Sequence, residues 1–145
     1  MTPQQESRVP AVNDAEAITE LLASAKTIAV VGLSPKSFRP SYGVSRYLQS
    51  AGYRIIPVNP NEPRILGEKS YARLQDVPEK IDIVDVFRRS DLVHQIVDDA
   101  IEVGARSIWM QEGVLDDASA ERARAAGIFV VMDRCIFKEI RRRDP

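Results

Sequence analysis

A short loop after an apolar run carries residue types that can bind a phosphate. The run Ile28–Val31 leads into Gly32-Leu33-Ser34-Pro35-Lys36-Ser37-Phe38-Arg39, and the stretch from Tyr42 to Ala51 then has helical spacing. A strand, a glycine turn and a helix together direct backbone N–H groups and a helix N-terminus at an anion. Because Lys36 and Arg39 add two cations, the loop favours a small, highly anionic ligand such as a nucleotide or a coenzyme.

Polar or unusual residues also follow four later apolar runs. Ligands of open α/β sheets bind at the carboxyl ends of the strands, near the point where the strand order reverses. These five strand-end segments therefore predict one ligand site at a single edge of a sheet. The four later segments are Asn59-Pro60, Phe87-Arg88, Gln111-Glu112-Gly113-Val114 and Asp133-Arg134-Cys135.

The elements that would position these segments alternate along the chain. Five runs rich in Ile, Val or Phe lack strict alternation, which is typical of strands covered on both faces. They lie at roughly 27–32, 54–58, 82–86, 106–110 and 128–132. Helical patterns lie at roughly 14–25, 41–51, 91–103 and 116–126, with a last helix at 136–143. This alternation predicts a Rossmann-like α/β fold of three layers, with a mainly parallel five-stranded sheet and helices on both faces.

Glycines and prolines set the boundaries of this interpretation. Gly52, Gly104 and Gly127 each follow a predicted helix, where a left-handed cap is needed. Between the second and third strands, the prolines of 59–63 exclude a long helix, and 65–75 predicts at best a short helical turn. Residues 1–13 predict a flexible N-terminal arm, with Asn13 or its neighbour Asp14 as the first helix cap, so the folded domain is expected at 14–145.

The overall composition argues against several classes of binding partner. A net charge of −1 gives no general attraction to nucleic acid or to an anionic membrane. The chain contains no run of about 18 apolar residues, so no transmembrane helix is predicted. The polar N-terminus does not resemble a signal peptide. The single cysteine, Cys135, allows no internal disulfide, so a cytoplasmic location is expected. One histidine and one cysteine do not predict a metal cluster of the usual spacing.

The loop departs from two common phosphate-binding patterns. The dinucleotide fingerprint would need glycines at positions 34 and 37, which are serines, and the second strand ends in Asn59 instead of an acid. The P-loop pattern is also missing. NAD(P) is therefore disfavoured but stays an alternative. His94 is expected to face solvent, on the polar side of its helix with Asp98 and Glu102, and no complete set of catalytic residues is evident.

Five segments, each at a predicted strand end and in this order, carry a family resemblance. They are Val30–Ser34, Val58–Pro60, Asp85–Arg88, Trp109–Val114 and Met132–Cys135. Together they resemble the stand-alone CoA-binding domains, whose bacterial single-domain members are often called YccU-like. The chain is similar, over nearly its whole length after residue 13, to the N-terminal domain of the succinyl-CoA synthetase α subunit.

The resemblance implies a location for each part of coenzyme A. The loop 32–36 would hold the diphosphate, Asn59-Pro60 would line the nucleotide end, and 86–88 would flank the adenine. Cys135 matches a synthetase cysteine near the CoA thiol, although Arg134 replaces an asparagine there. The expected CoA-binding residues are Gly32, Leu33, Ser34, Pro35, Lys36, Arg39, Tyr42, Val58, Asn59, Pro60, Val86, Phe87, Arg88, Gln111 and Cys135. A valine at position 32 is expected to block the ligand while leaving much of the fold.

Three hypotheses about function follow. The first is a stand-alone domain that binds CoA or an acyl-CoA; His94 does not match the phosphorylated histidine of the synthetase, which lies in a second domain, so ligation is not implied. The second is an NAD(P)-dependent oxidoreductase or another nucleotide-binding enzyme. The third is a regulatory module that reports CoA status to a protein partner, in which Cys135 forms a mixed disulfide with CoA. A homodimer suits a chain of this size, but no residue requires one.

Overall fold

A five-stranded parallel sheet lies at the centre of the computed structural model, which describes residues 9–143. The strands within these residues are β1 (Thr27–Val31), β2 (Arg54–Val58), β3 (Arg64–Ile65), β4 (Glu68–Lys69), β5 (Ile83–Val86), β6 (Ser107–Met110) and β7 (Phe129–Val131). The main sheet has the order β2-β1-β5-β6-β7, with every neighbouring pair parallel. The predicted five-stranded parallel sheet is confirmed.

Helices cover both faces of this sheet. They are α1 (Ala15–Ser24), α2 (Pro40–Ser50), α3 (Val93–Val103), α4 (Asp117–Ala125) and α5 (Ile136–Arg143). One apolar cluster joins the sheet to α3 and α4, and the other joins it to α1, α2 and α5. The three layers of the predicted Rossmann-like fold are thus present. Within residues 9–143, no helix has the length and apolar character needed to cross a bilayer.

The strand order fixes where a ligand can enter. From β1 the chain moves to β2 on one side, and it then returns across the sheet to β5 on the other side of β1. The order reverses between β1 and β5, and loops diverge there to leave a crevice at the carboxyl ends of the strands. The sheet therefore predicts a ligand site where β1 and β5 end.

The connection from β2 to β5 contains an element that the sequence did not indicate. The antiparallel strands β3 and β4 form a hairpin, whose turn places Leu66 at φ 53° and Gly67 at φ 77°. The only helical piece in 65–75 is the start of a short 3-10 turn at Leu74–Asp76, as the prolines suggested. Between them, Tyr71 continues the sheet beyond β2, donating to the Pro57 carbonyl at 3.0 Å.

The helix ends agree with the glycine signals. Gly52, Gly104 and Gly127 all have positive φ angles, of 100°, 70° and 87°. At the first helix, Asp14 is the residue that caps α1, since its carboxylate accepts from the Ala17 amide at 2.9 Å. The sequence offered Asn13 and Asp14 as candidate caps. Asn13 does not cap the helix and makes a different contact.

Asn13 binds the end of β7. Its side chain donates to the Met132 carbonyl at 3.0 Å and accepts from the Met132 amide at 2.7 Å. Its own amide donates to the Val130 carbonyl at 3.2 Å. The greater part of the predicted N-terminal arm, residues 1–8, lies outside the described residues, so the arm as a whole stays a prediction.

Candidate functional site

A cleft of about 850 Å³ opens where β1 and β5 end, and we call it the main cleft. Its volume is within the range of small-molecule and cofactor sites. Segments that follow β1, β5, β6 and β7 all contribute to its lining, as the strand-end argument predicted. Among the candidate residues, the cleft brings together Gly32, Ser34, Lys36, Arg39, Phe87, Arg88, Gln111 and Cys135.

Gly32 holds the ends of β1 and β5 close together. It has a φ of 91°, and a Cβ atom at this position would lie 2.4 Å from the Phe87 carbonyl oxygen. Its amide donates to the Val58 carbonyl of β2 at 3.1 Å. The glycine is therefore needed for the approach of neighbouring backbone, and the expectation that a valine would leave much of the fold is wrong at this point.

The loop after Gly32 directs a helix N-terminus at the main cleft. The Ser34 amide donates to the buried Ser41 hydroxyl at 3.0 Å, while the Ser34 hydroxyl accepts from the Lys36 amide at 3.1 Å. Arg39 occupies the N-cap of α2 without a side-chain capping bond, and Pro40 follows it. Since these residues line the cleft, the positive end of the α2 dipole faces the space where a ligand would sit.

Cationic side chains outnumber carboxylates in the lining of the main cleft. Within residues 9–143, no carboxylate lies within ion-pair distance of Lys36, Arg39 or Arg88. The one acidic side chain in the described lining, Glu112, is paired with Lys138 at 3.0 Å. Unpaired cations beside a helix N-terminus give the cleft a positive field that favours a multiply charged anion.

A smaller cavity of about 170 Å³ adjoins the main cleft, and we call it the side pocket. Arg88 lines both cavities. Val58, Pro60 and Ile96 give the side pocket apolar walls, and Arg73 adds a second cation. An apolar slot flanked by cations suits an aromatic ring system that carries phosphate.

Five predicted residues line neither cavity. Leu33 and Val86 are fully buried in the two apolar clusters on opposite faces of the sheet. Asn59 instead ties the loop after β2 to the loop after β1, since its side chain donates to the Leu33 carbonyl at 3.0 Å. Pro35 is exposed, and Tyr42 packs against the cluster beneath α2.

Several lining residues were not predicted. Ile96 and Asp99 reach the side pocket from α3, and Arg73 reaches it from the residue before the 3-10 turn. Leu92 is partly exposed and lines the main cleft. His94 is exposed, as expected. The spacing of 96 and 99 indicated a shared helix face, but not which end of the sheet that face would meet.

A buried acid supports the wall of the main cleft. Asp85 lies in β5 with 0 % exposure, and its carboxylate accepts from the side-chain amide of Gln111. The oxygen of that amide accepts from the Ile136 backbone N–H at 3.3 Å, at the start of α5. Burial raises the pKa of Asp85 to about 7, and the hydrogen bond from Gln111 opposes the rise. Cys135, directly before α5, is half-buried beside Gln111 in the lining.

A family model for the CoA binding domain matches residues 26–141, which is most of the chain. The chain belongs to this family. Among curated proteins, this chain is 41% identical to YneT of Bacillus subtilis (strain 168) over 119 residues, 82% of this chain and 88% of YneT. Both the fold and the resemblance inferred from the sequence are confirmed.

This chain is also similar to a solved structure and to part of a larger enzyme. A solved protein from Pyrococcus horikoshii OT3 superimposes with a TM-score of 0.86 at 37% identity, covering 92% of this chain and 96% of the other. The ADP-forming acetate–CoA ligase II of Archaeoglobus fulgidus is 28% identical over 83 residues. That match covers 56% of this chain and 12% of the ligase, so the likeness extends to one small part of the enzyme.

Proposed function

We propose that this protein binds CoA or an acyl-CoA in the main cleft, as a ligand-binding domain. The observation that carries the proposal is the set of unpaired cations, Lys36, Arg39 and Arg88, around the N-terminus of α2. A diphosphate needs such a combination of N–H donors and positive charge. Membership of the CoA-binding family supports CoA as the source of that diphosphate.

The two cavities suit the two ends of CoA. We assign the diphosphate to the loop 32–39 and the adenine to the side pocket, between Pro60 and Ile96. Arg88, which borders both cavities, would then lie between the base and the phosphates. The pantetheine arm would run along the main cleft toward Cys135, past the apolar side chain of Val114.

An NAD(P)-dependent oxidoreductase is not favoured. The loop lacks the second and third glycines of the dinucleotide fingerprint. Gly32, the first glycine, packs closely against the backbone of Phe87. Asn59, at the place of the usual ribose-binding acid, uses its side chain to hold the Leu33 carbonyl. The acetate–CoA ligase relative is named for a reaction that uses CoA, which supports the same choice.

Calorimetric titration of the purified protein with CoA, dephospho-CoA and NADP tests the proposal. We expect CoA to bind most tightly, and dephospho-CoA to bind more weakly because it lacks the 3′-phosphate that the cations would contact. NADP serves as a matched ligand with a phosphorylated adenosine and a diphosphate. Binding of NADP without binding of CoA would overturn the proposal and revive the oxidoreductase.

A regulatory role for the bound domain is a separate prediction. A module that reports CoA status would need a protein partner whose binding changes when CoA occupies the cleft. Pull-down from a lysate with and without added CoA, using the wild type and a variant that does not bind CoA, would reveal such a partner. Identical captures under all conditions would contradict the prediction.

A further inference from the structure

Asp85 is buried in a place where a carboxylate has little support. In register, its neighbours across the sheet are Val30 on β1 and Trp109 on β6, both apolar and fully buried. Its Oδ1 atom has one hydrogen-bond donor, and among the described residues its Oδ2 atom has no partner. A buried charge without a cation is costly, so this environment favours the neutral acid.

A chain of hydrogen bonds joins Asp85 to the ligand site. Gln111 donates its amide N–H to Asp85 and uses its amide oxygen to hold the Ile136 backbone N–H. Gln111 itself lines the main cleft, and Cys135 precedes Ile136 directly. One buried carboxyl therefore fixes the orientation of a cleft side chain and the start of α5.

Other charged groups on this side of the sheet are engaged elsewhere or exposed. Glu139 of α5 is paired with Arg142 and Arg143, and Lys138 is paired with Glu112. The titratable groups of the three covering helices are Glu16 and Glu20 on α1, Tyr42, Arg46 and Tyr47 on α2, and Lys138, Glu139, Arg141, Arg142 and Arg143 on α5. Desolvation is the main cause of the raised pKa of Asp85, and the Gln111 hydrogen bond is the one opposing contribution.

We propose that Asp85 is a positioning residue which takes up a proton when CoA binds, so that affinity for CoA falls as the pH rises through neutrality. CoA would displace water from the main cleft beside Gln111, and its diphosphate would add negative charge to the same cavity. Both changes disfavour the ionised form of Asp85. If CoA binds best when Asp85 is protonated, then at a pH where the free protein has Asp85 ionised, binding must include uptake of a proton. The affinity for CoA therefore falls as the pH rises. This inference rests on the proposed function.

Proton uptake on binding is the direct test. Calorimetry at pH 7.5 in buffers of different ionisation enthalpy gives the number of protons taken up, and dephospho-CoA avoids the titration of the 3′-phosphate near pH 6. We expect net uptake by the wild type and affinity that falls about fivefold from pH 6 to pH 8. Asp85→Asn, which imitates the neutral acid, should bind without that uptake and with a flat profile. His94→Gln, exposed and outside the cleft, should match the wild type.

The outcomes separate this inference from the proposed function. If neither CoA nor dephospho-CoA binds to the wild type, both fail together. If dephospho-CoA binds and the wild type and Asp85→Asn take up equal numbers of protons, only the role of Asp85 is overturned. Should Asp85→Asn not fold, carboxyl NMR of the wild type gives the answer, because the pKa of Asp85 should rise on ligand binding and an unchanged value overturns the inference.

Discussion

Replacing the carboxyl of Asp85 by an amide should change how stability depends on pH. Burial raises the pKa of this group from 3.8 to about 7. Between those values the folded protein holds a proton that the unfolded chain releases, so the free energy of unfolding falls as the pH rises. At about 1.4 kcal/mol for each pKa unit, this group lowers the free energy of unfolding by about 2 kcal/mol between pH 5 and pH 7. The free energy of unfolding of Asp85→Asn minus that of the wild type should therefore increase by that amount from pH 5 to pH 7.

Urea unfolding at pH 5, 6 and 7 measures this difference, since the midpoint and slope give the free energy of unfolding at each pH. Asp85→Val is the matched control, because it also removes the titrating group. It should show the same growth with pH, displaced by about 1–3 kcal/mol at every pH since the Gln111 amide loses its acceptor. A difference between Asp85→Asn and the wild type that stays constant from pH 5 to pH 7 would refute the reasoning.

The remaining predictions concern the cleft. Lys36→Ala should weaken CoA binding by about 1–3 kcal/mol in calorimetry, whereas the control Lys80→Ala, at an exposed lysine, should not. Equal affinities of the wild type and both variants would show that Lys36 does not contact the ligand. Gly32→Ala should lower the free energy of unfolding by at least about 2 kcal/mol, because its Cβ meets the neighbouring backbone at positive φ; an unchanged urea midpoint contradicts this. Exchange with CoA disulfide should add one CoA to Cys135 and release one CoA thiol, as intact mass with Cys135→Ser as control would show; an unmodified mass ends the idea.

Local patterns were sufficient for most of the sheet. Short apolar runs bounded by Gly52, Gly104 and Gly127 predicted where strands and helices alternate, because the left-handed caps are set by the backbone at those residues. The β3–β4 hairpin gave no comparable signal. Its turn uses Leu66 at positive φ, a conformation that leucine rarely adopts, so its presence depends on the surrounding packing and not on residue preference.

The candidate site was predicted less completely than the fold. Strand-end segments were treated as units, yet Val86 is the last residue of β5 and is buried, while Arg88 lies in the loop beyond the strand and reaches both cavities. Arg73 enters the side pocket through the packing of a connection without a periodic pattern. Asp85 lies within an apolar run, and only the tertiary structure shows that its carboxyl contacts Gln111.

Both outer strands of the main sheet are already engaged in short backbone contacts. At one edge, the amide and side chain of Asn13 form hydrogen bonds with backbone groups of Val130 and Met132. At the other edge, Tyr71 forms a bridge with Val58, and its amide donates to the Pro57 carbonyl. An unpaired edge strand is a template for adding a strand from another molecule. Copies of this chain that join by extending the sheet would first have to displace one of these contacts. Self-association would therefore be directed to the helical faces, away from intermolecular β-pairing.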